Sequence, residues 1–274
     1  MSNAHEQKHP FHLVDPSPWP LVTSMVLLLL VSGGLLFMHQ KPGGAVMLGL
    51  GFIGVLGVMF GWWRAVIREG LYDHAHTGAV RHGLRWGMAL FITSEVMFFV
   101  AFFWAFFNAA LFPTIPLEGA WPTWDGAVWP PAAVETFNAW DLPLMNTLIL
   151  LLSGTTVSWA HHALLQGKRD EVIKALTITV ALGFIFTCLQ AVEYHHAAFG
   201  FKDGIYPSTF YMATGFHGFH VIVGTIFLAV CLVRARNNTL TVEGHLGFEF
   251  AAWYWHFVDA VWLFLFVCIY WWGS

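Results

Sequence analysis

Residues 85–111 read RWGMALFITSEVMFFVAFFWAFFNAAL. After Arg85 at the first position, Glu95 is the only charged side chain in the stretch. At 1.5 Å of rise per residue, about 20 such residues cross a hydrocarbon core of about 30 Å. The stretch therefore predicts a membrane-spanning helix. Six more runs share its length and polarity: approximately Pro20–Met38, Ala45–Val66, Leu144–Ala163, Ile173–His196, Thr209–Val233 and Gly247–Trp272. They are continuous rather than alternating, which excludes a strand barrel. The expected fold is an all-α membrane protein with seven transmembrane helices.

Composition agrees. Of 274 residues, 57% are hydrophobic and 10% charged, whereas a soluble domain carries about a quarter of its residues as charges. Such a chain cannot clothe a water-soluble globule, so a soluble enzyme is excluded. The net charge of −4 and a pI near 6.4 supply no basic field for a phosphate backbone, which removes nucleic acid as a partner. Cys188, Cys231 and Cys268 lie far apart in apolar runs, the pattern of buried small hydrophobes rather than of disulfides or a CxxC metal site. The first 15 residues are polar and lack an apolar core, so no cleavable signal peptide is expected.

Lys and Arg set the expected orientation. With seven alternating spans, ten of the twelve fall on the N-terminal side, leaving Lys41 and Lys202 opposite. Positive loops stay inside, so the N-terminus is expected inside and the C-terminus outside. The 112–141 segment then becomes an external loop, where Pro113, Pro116, Pro122, Pro130 and Pro131 prevent a regular helix. Its Trp121, Trp124, Trp129 and Trp140 suit the interface, as do Trp62, Trp63, Trp271 and Trp272 at span ends. The second span carries Gly51, Gly54, Gly57 and Gly61; the Gly57–Gly61 spacing predicts close approach to a neighbouring helix, with a lipid-tail groove as the alternative.

An ionisable side chain within the bilayer is costly, which makes each one a functional candidate. Glu95 lies deep in the third span among Phe91, Ile92, Phe98 and Phe99, and both a proton-carrying role and a structural hydrogen bond fit it. Its natural partners are His217 and His220, three residues apart on one face of the sixth span. Matched depth favours His220. As haem or metal ligands the two histidines lack the further ligands such sites need. His256 and Asp259 form another i, i+3 pair, deep in the seventh span, read as an internally paired structural site or a proton relay. Glu193 and His196 make one Glu-x-x-His spacing. A di-iron bundle needs two such motifs, and the other copy, Glu6 to His9, sits in the polar tail, so a polar cluster at the outer interface is expected instead. His161, His162, Arg234, His245 and Glu249 gather at the inner side, where they are read as a solvated face or a proton-buffering cluster. Arg64, Arg68, Glu69, His74, His76, Arg81 and Arg85 crowd the second inner loop, at a depth suited to lipid phosphates.

Six segments carry a family resemblance: HLVDPSPWPL (12–21), GWWRAVIREG (61–70), FITSEVMFFVAFFWAFF (91–107), NTLILLLSGTTVSWAHHAL (146–164), FYMATGFHGFHVIVGTIFL (210–228) and AAWYWHFVDAVWLFLFVCIYWWGS (251–274). In this order, across nearly the whole chain, they resemble subunit III of the haem-copper cytochrome c oxidases. The resemblance implies a single seven-helix domain over 1–274, in which a two-helix arm (1–78, with its tail and the start of the inner loop) splays from a five-helix bundle (79–274) around a lipid cleft. It implies an accessory subunit without a redox centre or catalytic residues, supporting proton uptake and enzyme stability during oxygen reduction. The haems and copper would sit in partner subunits, the catalytic haem-copper subunit I and the copper-bearing subunit II, with cytochrome c or other respiratory complexes reached through the assembly. Glu95 matches the family's intramembrane glutamate and His220 the histidine it is thought to bond. Phospholipid headgroup contacts map onto Trp63, Arg68, Glu69, His76 and Arg234. The long outer loop favours a bacterial inner membrane over the mitochondrial one. A quinol-oxidising relative is the near alternative. A free-standing proton-coupled transporter is the distant one, and internal repeats of the kind such proteins carry are not evident.

Overall fold

The computed structural model describes residues 11–73, 75–112, 129–131 and 134–274. Most of the segment read as the external loop, including Trp121 and Trp124, lies outside the described residues, as do Glu6, His9 and His74. Seven α-helices follow one another: α1 (Trp19–Met38), α2 (Gly44–Leu71), α3 (Gly78–Leu111), α4 (Leu142–Leu165), α5 (Arg169–His196), α6 (Ile205–Arg236) and α7 (Leu246–Leu265). The last continues as a π-helical turn over Phe266–Trp271. The described residues contain no strand, and all seven helices are long and apolar enough to cross a membrane. The chain divides into two compact units, Met1–Leu84 and Arg85–Ser274, with the boundary inside α3.

In the first unit α1 and α2 form an antiparallel hairpin, turned through Gln40 (φ 54°) and Gly43 (φ 82°) in the left-handed region. Lipid offers no hydrophobic gain for helix association, so close backbone packing has to supply the contact. Glycine makes room for it at Gly44 and Gly51, where an added Cβ would fall 2.5 Å from the Phe37 nitrogen and the Leu30 Cα. Gly61 instead receives the ring of Trp19, and Gly57 faces open space. The expected Gly57–Gly61 contact is thus corrected to one running through Gly44 and Gly51. Gly57 lies about 120° round the helix from Gly51, off the contacting face.

The second unit is built around Trp255 of α7, which is fully buried. Its indole N–H donates to Ser153 of α4 at 2.9 Å. Its ring occupies space left by Gly183 of α5 and Gly224 of α6, where a Cβ would approach it to 2.8 Å in both cases. One side chain therefore ties four helices together. One helical turn or two away, Trp262 donates to Thr147 of α4 at 2.9 Å, and the hydroxyls of Thr156 and Thr179 lie 2.8 Å apart between α4 and α5. Within this unit α3 packs through aromatic rings, with Phe99, Phe103 and Phe106 buried. The ring centroid of Phe99 is 6.0 Å from that of Phe257, and Phe103 meets Phe264 edge-on at 4.6 Å.

The helix ends are closed by named groups. α4 ends in a Schellman turn at Gly167 (φ 72°), with Lys168 N–H bonded to Ala163 O and Gly167 N–H to Leu164 O. α6 ends the same way with Asn238 (φ 58°) in the left-handed position. Its last carbonyls, Ala235 O and Arg236 O, also accept from the Arg169 guanidinium at 3.0 and 2.7 Å, placing a cation where the helix dipole favours one.

Candidate functional site

Glu95, one turn before the buried Phe99 on α3, reaches His220 on α6, with Oε2 to Nε2 at 2.9 Å. The other ring nitrogen of His220, Nδ1, bonds the Phe216 carbonyl at 2.6 Å. A carbonyl can only accept, so Nδ1 carries a hydrogen. A single proton then lies between Nε2 and Oε2: a neutral imidazole faces a carboxylic acid, or an imidazolium faces a carboxylate. Aromatic rings enclose the pair, Phe99 at 5.0 Å and Tyr254 at 6.2 Å from the His220 ring. The imidazole is nearly closed off, at 6% side-chain exposure, while Glu95 keeps 22%. The arrangement can hold a proton at fixed depth, and it also fastens α3 to α6.

His217 does not join it. Its Nε2 bonds the Val258 carbonyl at 3.1 Å, and its ring sits between Phe186 and Trp262. The i, i+3 pair on α6 is thus split, one imidazole facing α3 and the other α7. His256 and Asp259 are neighbours, Nδ1 to Oδ2 at 3.5 Å. Glu193 and His196 are not, since Glu193 is buried and accepts from the Tyr270 hydroxyl at 2.5 Å, whereas His196 bonds the Val192 carbonyl of its own helix.

At the opposite end of the bundle from Tyr270, Glu249 is held by Arg85 through two parallel bonds of 2.8 and 2.9 Å. Sequence reasoning placed these residues in separate groups, Arg85 with the lipid-facing cations and Glu249 with the histidines. A forked guanidinium-carboxylate pair joins α3 to α7 here. The rings of His161 and His245 stand 5.9 Å apart, and the His245 ring also bonds Val242 O. His162 points outward and is exposed. Arg234 donates from Nη2 to Thr239 O at 3.0 Å, its Nε is buried without a hydrogen-bond partner, and it forms no ion pair among the described residues.

In the first unit, Trp63 and Arg68 are exposed on α2. The loop after α2 folds back so that Ala75 N–H bonds Glu69 O at 3.1 Å, and the His76 ring lies against Gly70. Burial holds the His76 pKa below its ordinary value; Glu69 opposes this, while His12 and Arg81 add to it. Among the described residues no group of three or more His, Cys, Asp or Glu side chains is placed to hold a metal ion.

Two further partners carry no legible sequence signal. Ser158 of α4 meets His256 Nε2 at 3.2 Å, and Tyr270 meets Glu193. Both join residues far apart in the chain through ordinary helix positions.

Fold and site together define a polytopic helical membrane protein whose intramembrane acids are spent on named partners in the same chain. The family profile described as cytochrome c oxidase subunit III matches residues 9–274. The cytochrome c oxidase subunit 3 of Prototheca wickerhamii is 58% identical over 98% of this chain and 99% of its own. The protein named "Probable cytochrome c oxidase subunit 3" in Rickettsia bellii (strain RML369-C) is 57% identical over 100% of both chains, and the Triticum aestivum subunit 3 is 54% identical over 98% of both. The chain belongs to the cytochrome c oxidase subunit III family.

Proposed function

We propose that the chain is an accessory subunit of a proton-pumping oxidase that reduces oxygen to water with electrons from cytochrome c, and that it carries no redox centre itself. One observation weighs most: Glu95, Asp259, Glu249 and Glu193 are each engaged by a single side chain of this protein, His220, His256, Arg85 and Tyr270. Three of these pairs brace elements against each other, α3 to α6, α3 to α7 and α5 to the π-helical end of α7, while His256 and Asp259 pair within α7. The haems and copper belong, in this reading, to the catalytic subunit and the copper-bearing subunit. The relatives, named as cytochrome c oxidase subunits, favour cytochrome c over quinol as electron donor. Family membership argues against a free-standing transporter. The N-terminus faces inside, as the distribution of Lys and Arg suggests.

Its contribution is to hold phospholipid and to support proton uptake and stability in the catalytic subunit. Headgroup phosphate suits two separate places. One is the exposed Arg68 with Trp63, Glu69 and the His76 loop. The other is Arg234, a half-buried guanidinium at the end of α6 that has no carboxylate of its own among the described residues. A guanidinium binds phosphate through charge-assisted bonds, two in parallel where its fork is free. Arg234→Ala is expected to release one phospholipid from the purified complex, counted by mass spectrometry; unchanged lipid content would remove Arg234 from the reading.

A further inference from the structure

Buried hydroxyls in the second unit bond their own helix. Ser153 donates to Leu150 O, Thr147 to Pro143 O and Thr179 to Ala175 O, at 2.5, 2.8 and 2.9 Å, so each is satisfied whatever packs beside it. Asn146 of α4 is different. It is 0% exposed, and both its amide nitrogen and its amide oxygen are buried without a hydrogen-bond partner. An asparagine amide offers two donors and an acceptor. Leaving them unmade in a closed interior carries the full desolvation penalty, which a leucine at the same place would not incur.

Glu193 of α5 has the complementary defect. Its Oε1 accepts from the Tyr270 hydroxyl at 2.5 Å, while Oε2 is buried and unpartnered. The register of α4 on α5 brings the two residues together. It is fixed by Thr156 and Thr179, whose hydroxyls are 2.8 Å apart. Asn146 lies ten residues back from Thr156, about 15 Å, and Glu193 fourteen on from Thr179, about 21 Å in the same direction. Their depths therefore differ by about one helical turn. Trp262 and Tyr270 close the circuit. The Trp262 indole donates to Thr147, the neighbour of Asn146, at 2.9 Å, and its ring stands 5.6 Å from that of Tyr270, which holds Glu193.

The chemistry of these atoms selects the ligand. A cation would find one carboxyl and one amide oxygen, and among the described residues no group of three or more His, Cys, Asp or Glu side chains is placed to hold one. An apolar molecule would leave every orphan unpaired. Water both donates and accepts, and two hydrogen bonds of about 2.8 Å span about one helical turn. It can accept from the Asn146 amide and exchange a hydrogen bond with Glu193 Oε2 whether or not that oxygen carries a proton. We propose that a buried water binds between Asn146 and Glu193, joining α4, α5 and the π-helical end of α7 in a fixed chain of amide, water, carboxyl and phenol at the end of the bundle opposite Glu249.

An electron cryomicroscopy map of the purified protein with its natural partners, sharp enough to show ordered solvent, tests the site directly. The expected result is a density peak at hydrogen-bond distance, about 2.7–3.2 Å, from both an Asn146 amide atom and Glu193 Oε2. A direct contact between amide and carboxyl, or both side chains in place with nothing between them, would overturn the proposal. A double-mutant cycle of Asn146→Leu and Glu193→Leu, read by unfolding in graded detergent, tests the energetic link, because the change of shape at each position cancels in the cycle. A shared water predicts coupling of about fivefold in the folding equilibrium, the worth of about one hydrogen bond. Effects that simply multiply would show that the two side chains share nothing. Should a leucine variant fail to fold, the map of the unsubstituted chain still decides.

Discussion

Trp255→Ala is expected to destabilise the second unit by about 3 kcal/mol, roughly a hundredfold in the folding equilibrium. In a bilayer the unfolded helices remain in lipid, so transfer from water contributes little to this figure. What is lost is contact. The indole fills the space left by Gly183 and Gly224 and bonds Ser153, so its removal opens a cavity between four helices and leaves that hydroxyl with one bond fewer. Unfolding in a graded mixture of mild and denaturing detergent would measure the change. Phe184→Ala serves as the reference: that ring is exposed on α5 of the same unit, and its loss should fall within about 0.5 kcal/mol. Similar losses for the two variants would show that Trp255 is not what joins the bundle.

The second large effect is expected at Glu95, where two substitutions separate architecture from proton chemistry. Glu95→Leu leaves His220 Nε2 unpaired in a nearly closed aromatic pocket, at a cost of about 1–3 kcal/mol. Glu95→Gln keeps the contact, because the amide N–H can donate to Nε2 while Nδ1 stays on Phe216 O, but it removes the shared proton. If the pair is chiefly a brace, the glutamine variant retains nearly normal oxygen reduction and proton pumping with modestly lowered stability, whereas the leucine variant loses the subunit on purification. Complete loss of pumping in the glutamine variant, with the subunit still bound, would make the proton rather than the bond essential.

The helices were legible because the bilayer imposes one length on every span. Their ends were less so. Hydropathy detects only the apolar part of a helix, so the spans read at Arg85 and Thr209 begin instead at Gly78 and Ile205, and the sixth runs on to Arg236. Polar residues at these ends continue the helix into the interface without an apolar signal. Depth arithmetic along straight helices singled out His220 as the partner for Glu95. It could not find Arg85 with Glu249, since each sat within a local cluster that already suggested a use. Ser158 was hidden for a different reason: a helical serine bonds its own chain by default, and only the crossing of α4 and α7 shows that it also meets His256. Gly57 illustrates the converse, because a two-residue spacing motif does not say which face of α2 meets α1.

The most direct test of the account is the visible spectrum of what this chain brings with it. Tagged and extracted in mild detergent, it should co-purify with larger subunits that show a reduced-minus-oxidised haem signal, and the signal should vanish when the chain is separated from them. A colourless preparation that never contains an oxidase, or a haem signal that stays with the isolated chain, would contradict the reading of an accessory subunit without a redox centre.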